Sequence, residues 1–299
     1  MARVATEAGA SLDARAGRLR DSARDDGGPG LMANDLERAW RQACALAPEH
    51  SLALPFVGEH VAVVGTGLAA GVARAYAALR EDAAQGATDA SDPDDLARRT
   101  YHRAVLLSHT GAEPALVETI EWLRSEAILA IAVGAPPGSP LDELAGVTVP
   151  LAATGGSDRP DEAYALTSFA VLRHHLLGET GGRDAARAAR AALPDASGVR
   201  RWVFVGRRWT LGLATTAARA FRRRGAAAFA GPPSALAAGD LGTLDPTTLV
   251  WWFDAADVDG AIADEDDDAP ALRIAALDPG AELVLALRLA DAHGSAGGT

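Results

Sequence analysis

The chain has 299 residues, 48% of them hydrophobic, with a formal net charge of −12. That length and apolar content suffice for two domains of ordinary size, and the acidic balance argues against a nucleic-acid partner, which needs a basic face. Cys44 is the single cysteine and all 28 Lys-or-Arg positions hold arginine, which excludes an intrachain disulfide, a cysteine metal cluster, a lysine Schiff base and a Walker lysine. Residues 1–30 carry charge without an apolar signal core and read as a disordered leader. No apolar run reaches the ~18 residues of a membrane span. The expectation is a cytoplasmic protein with no membrane partner, no cofactor and no metal.

Residues 35–47 have helical apolar spacing, with Asp35 as the expected N-cap. A strand at 61–64 and a helix at 68–80 follow, and the polar stretch "EDAAQGATDASDPDD" reads as a loop. A strand at 104–107 leads through "SHTGAEP" into a helix at 113–125. Next come a strand at 127–133, a Pro/Gly loop, a strand at 147–151 and a helix at 162–177. Strands and helices alternating at this spacing predict parallel βαβ units.

Residues 181–197 read as a linker with a short helix. The plan then repeats: "RWVFVGRRWTLGLATTAARAFRRRG" echoes "HVAVVGTGLAAGVARAYAALRED", with Gly206 standing where Gly65 stands. Strands at 248–253 and 271–275 and a helix at 281–292 close the chain, and "DEDDDAP" reads as a solvated loop. The fold class is α/β. Two doubly wound, flavodoxin-like parallel sheets, each in a three-layer αβα arrangement, are expected at 31–180 and 198–294, related by duplication, with 295–299 as a tail.

The turn after the first strand holds Gly65, Thr66 and Gly67. With Ala70 it satisfies G-x-G-x-x-[GA], a dinucleotide fingerprint. That reading, a nucleotide-dependent oxidoreductase, also needs a second strand ending in an acid about 20 residues on, and the polar stretch there shows no apolar strand. A glycine turn that lets helix and strand pack closely is a second reading. A third is a phosphate site. Ser108, Thr110 and Gly111 lie between a buried strand and a helix starting near Glu113, so hydroxyls and free N–H groups meet a helix N-terminus. Two adjacent strands ending in such turns form a crevice at their carboxyl ends that suits one phosphate monoester.

These stretches, "VVGTGLAAG", "LLSHTGAEP" and "DEAYALTSFAVL", resemble the sugar isomerase (SIS) domain family over about residues 31–180. The second half resembles the double-domain layout of the isomerase half of glucosamine-6-phosphate synthase. The resemblance implies a five-stranded sheet per domain, a homodimer and a sugar-phosphate ligand. It places Gly65, Thr66, Gly67, Ser108, His109, Thr110, Gly111, Thr167 and Ser168 around that ligand. It implies an aldose–ketose isomerase acting on a sugar phosphate, or an amino-sugar phosphate isomerase or deaminase. The alternative is a catalytically degenerate binding protein.

Several positions depart from the family pattern. Glu113 stands where the family's loop ends in threonine. The position of the family's glutamate base falls at or near Arg223, and its later histidine and lysine have no counterparts. His109, Glu113 and Glu162 are therefore the candidate acid–base groups. Glu113 and Glu162 also read as acids favouring a helix N-terminus, and His109 as an ordinary loop residue. His174 and His175 are expected to be one buried and one exposed. Arg207 and Arg208 read as exposed. Trp202, Trp209, Trp251 and Trp252 read as core or interface residues.

Overall fold

The computed structural model describes residues 31–50, 53–151, 160–180, 185, 188–189, 191, 193, 196, 198–242, 244–253, 271–272 and 278–296. The expected leader at 1–30, the acidic loop at 264–270 and most of the linker lie outside them. Contacts divide the chain into Met1–Leu31 and Met32–Thr299, and the second unit is described here.

The run Val61–Gly65 (β1) is buried at every position, as a strand inside a parallel sheet covered on both faces must be. With Thr88–Ser91 (β2), Arg103–Leu107 (β3), Leu129–Val133 (β4) and Val147–Val149 (β5) it forms a parallel sheet of order β2-β1-β3-β4-β5. Arg201–Val205 (β6), Ala227–Gly231 (β7), Thr248–Trp252 (β8) and Ala271–Leu272 (β9) form a second parallel sheet of order β7-β6-β8-β9. Among the described residues it repeats the first four positions of the first sheet.

The main helices are α1 (Leu31–His50), α2 (Gly67–Asp82), α3 (Pro114–Ser125), the short α4 (Pro140–Leu144), α5 (Pro160–Leu177), α6 (Trp209–Arg223), the short α7 (Pro233–Ala237) and α8 (Pro279–Ala296). One apolar cluster runs from Val61, Val63 and Leu107 through α1, α2 and α5 to Trp202, Phe204 and Trp251, so the two sheets share a core. Trp202 packs on Phe221 with ring centroids 4.4 Å apart, and Trp209 stacks on Phe169 at 6.1 Å.

Helices α2 and α6, each launched from a glycine turn, meet almost backbone to backbone. A Cβ added to Gly71 would lie 2.7 Å from the Gly212 carbonyl oxygen, and one added to Gly212 would lie 2.5 Å from that of Gly71. The alanine-rich faces are what permit this approach.

Several expectations change. Helix α1 starts four residues before Asp35, so Asp35 lies inside the helix and is not its N-cap. The stretch expected as a loop contains β2, paired in register from Val61↔Thr88 to Val64↔Ser91. An edge strand has one open side, so polar residues are tolerated there and the apolar signal is weak; Asp89 faces Arg99 and His60. Strand β7, AAFAG at the other sheet's edge, has Phe229 as its one large residue and gives an equally weak signal. His174 and His175 are both half-buried. Arg208 is exposed and pairs with Asp82.

Candidate functional site

In a sheet of order 2-1-3-4-5 the strand order reverses between β1 and β3, and the crevice beyond their carboxyl ends is where such folds bind ligands. The residues following these two strands line a cleft of about 160 Å³ with Thr66, Gly67, Leu68, Ala69, Leu107, Ser108, His109 and Glu113 on one side. Asp161 and Tyr164 from α5 and Arg223 from α6 complete it.

The first turn has two glycines with different tasks. A Cβ on Gly65 would sit 2.8 Å from the Ala69 carbonyl oxygen, so this glycine serves strand–helix packing. Gly67, which lines the cleft, has φ +54° and open space where a Cβ would sit. Thr66 is the N-cap of α2, yet its side chain makes no capping bond and its hydroxyl is left for the cleft. Arg219 donates to the Gly67 carbonyl, tying α6 to this turn.

The second turn is internally bonded. The Ser108 hydroxyl, 2% exposed, accepts from the Gly111 N–H at 2.7 Å and donates to the Glu113 carboxylate. Glu113 is the N-cap of α3 but caps nothing with its side chain, which turns back to Ser108 instead. Thr110 is exposed, and its hydroxyl accepts from the Ala112 N–H at 3.2 Å. His109 places Nδ1 3.0 Å from Asp161 Oδ1, and the other oxygen of that carboxylate receives Arg223. The Tyr164 ring lies 5.8 Å from that of His109, and its hydroxyl donates to the Val133 carbonyl at 2.6 Å. Burial, reinforced by the Glu113 charge, pushes the Tyr164 phenol well above its ordinary range, so it stays neutral.

The structure brings Gly67, Thr66, Ser108, His109 and Glu113 to one cleft. It does not bring the other expected residues there. Thr167 and Ser168 are buried within α5, where their hydroxyls bond the carbonyls of Tyr164 and Ala165. Hydroxyls inside a helix commonly back-bond in this way. Glu162 is buried and pairs with Arg224 at 2.8 Å; Asp291 lies 3.6 Å from the same guanidinium. Its neighbour Asp161 is the acid that reaches the cleft.

The sequence reading missed Asp161 and Tyr164 as lining groups. It marked Arg223 only as the position of an expected glutamate. Asp161–Glu162 in the first turn of α5 and Arg223–Arg224 at the end of α6 form two parallel ion pairs, with each helix carrying the charge its dipole favours. The strand end Asp92, which a dinucleotide site would need free, lies 3.5 Å from Arg74 and 3.6 Å from Arg219. Among the described residues no group of three or more His, Cys, Asp or Glu side chains is placed to hold a metal ion, and no helix is long and apolar enough to cross a membrane.

No family model and no curated protein matches the sequence. Solved structures match the fold. Glucosamine-6-phosphate deaminase from Thermotoga maritima superposes with a TM-score of 0.69 at 14% identity, covering 91% of this chain and 95% of its own. Tagatose-6-phosphate ketose/aldose isomerase from Escherichia coli gives 0.69 at 17% identity, covering 91% and 94%. The C-terminal domain of glucosamine-fructose-6-phosphate aminotransferase from Francisella tularensis gives 0.62 at 12% identity, covering 92% and 98%. The chain has the α/β fold of these sugar-phosphate proteins over nearly its whole length.

Proposed function

We propose that this chain binds a sugar phosphate in the β1–β3 cleft and interconverts its aldose and ketose forms. One observation carries the reading: two phosphate-type turns at the switch point share a cleft with a guanidinium and a carboxylate-held imidazole. The phosphate takes the Thr66 hydroxyl, the N–H groups opening α2 and the Ser108 hydroxyl, with Arg223 turning from Asp161 to meet it. At about 160 Å³ the cleft is smaller than the ~300 Å³ of typical small-molecule sites. It seats the ester end and leaves the sugar carbons at the mouth, where His109 is partly exposed. Asp161 orients the imidazole through Nδ1, so its other nitrogen can carry a proton between neighbouring carbons.

Residues 31–180 and 198–294 are read as two copies of a sugar isomerase domain, a reading supported by the repeated strand order. A homodimer belongs to the same proposal and is tested by sedimentation velocity.

The central test is exchange of the C1 or C2 proton of fructose 6-phosphate and glucosamine 6-phosphate with deuterated water. The wild type should catalyse exchange. His109→Gln should lower the rate by about 10²-fold or more while leaving the ligand's dissociation constant nearly unchanged. Arg223→Gln should weaken binding by about tenfold, the loss of one charge-assisted contact. Absence of both exchange and calorimetric binding with every hexose phosphate tried refutes the proposal. Binding without exchange reduces it to a binding protein.

A further inference from the structure

Resting on the phosphosugar reading, we propose that Glu113 is a built-in occupant of the anion seat. Its carboxylate holds the Ser108 hydroxyl until a ligand phosphate displaces it.

Three observations converge on this. The Glu113 carboxylate ignores the helix N–H groups that an N-cap acid ordinarily takes and bonds the buried loop serine. The same hydroxyl is held from the other side by the Gly111 N–H at 2.7 Å, so the loop keeps the shape that would receive an oxyanion. Among the described residues no cation pairs with Glu113, and Arg223 is engaged by Asp161. The cleft thus carries two carboxylates against one guanidinium, an adverse balance for an incoming dianion. Moving Glu113 out removes one of these negative charges and frees one donor.

The consequence is an affinity threshold. Every ligand must displace the same carboxylate, so all affinities fall by the same factor, and only esters that gain further contacts from the sugar keep enough affinity to occupy the cleft at low concentration.

Calorimetry with inorganic phosphate and with fructose 6-phosphate tests this on wild type, Glu113→Gln and Glu113→Thr. Both variants should bind inorganic phosphate at least about tenfold more tightly than the wild type, since about 1.4 kcal/mol of like-charge opposition is removed. The gain should be of similar size for the ester. Wild type that binds fructose 6-phosphate, with variants that bind phosphate no better, overturns the role of Glu113 and leaves the phosphosugar reading standing. No binding of either ligand by any of the three proteins overturns both. A crystal of the wild type soaked in fructose 6-phosphate provides the check that needs no variant. Glu113 withdrawn from Ser108 Oγ supports the proposal, and a seated phosphate with the Glu113–Ser108 bond intact overturns it.

Discussion

The α2–α6 contact makes a sharp prediction at Gly212. The substitution Gly212→Ala adds one methyl to the inside of this helix pair. The new carbon would lie 2.5 Å from the Gly71 carbonyl oxygen and 2.7 Å from the Ala75 Cα, both backbone atoms with no rotamer to yield. Ordinary carbon contacts need about 3.5 Å, so the helices must separate by roughly 1 Å. Overpacking of this kind costs about 1–3 kcal/mol, and rigid backbone on both sides puts this case near 3. Alanine's better helix propensity returns about 1 kcal/mol. The expected net loss is about 2 kcal/mol. At about 2–4 °C per kcal/mol for large domains, the melting temperature should fall by roughly 4–8 °C. Urea titration should show a lower midpoint with an unchanged slope, because the clash belongs to the folded state. A melting temperature equal to or above that of the wild type would refute the argument, since propensity alone would then account for the residue's effect.

Two further predictions concern charge. Glu162→Ala should destabilise the fold by about 2 kcal/mol in urea, less than the ~3–5 typical of a broken buried pair because Asp291 remains 3.6 Å from Arg224; an unchanged midpoint would show that the pair contributes nothing. For Asp142, the Gly138 N–H at 2.8 Å and then the Thr148 hydroxyl hold the carboxyl below its ordinary range. The folded chain therefore takes up this proton less readily than the unfolded chain. The stabilisation is complete above the unfolded value of about 3.9 and disappears as pH falls through the lower folded value. Melting curves between pH 6 and 2 should fall less steeply for Asp142→Asn than for the wild type, and identical slopes would exclude the contribution.

The sheet interiors were legible because buried parallel strands write themselves as apolar runs: Val61–Val64, Ala104–Leu107 and Thr248–Trp252 needed no context. The edges were not, since Thr88–Ser91 gains its strand conformation from pairing with β1 and not from its own composition. In the candidate site, the two turns were visible as glycine and hydroxyl clusters at strand ends, a pattern that serves strand–helix packing at Gly65 as well as it would serve an anion. The third wall was not. Asp161 and Arg223 come from segments 62 positions apart in the sequence, and only the packing of both α5 and α6 against α2 brings them together. Thr167 and Ser168 misled because a hydroxyl pair in a helix looks the same in sequence whether it faces a ligand or its own preceding turn.

The twin pairs Asp161–Arg223 and Glu162–Arg224 join the entrance of one helix to the exit of another, and only the outer pair touches the cleft. The inner pair, one residue further along both segments, ties the end of α6 to the start of α5. A polypeptide cut between the two halves would leave Arg223 on one fragment and the rest of the cleft's lining on the other, so the pocket exists only where the halves are joined.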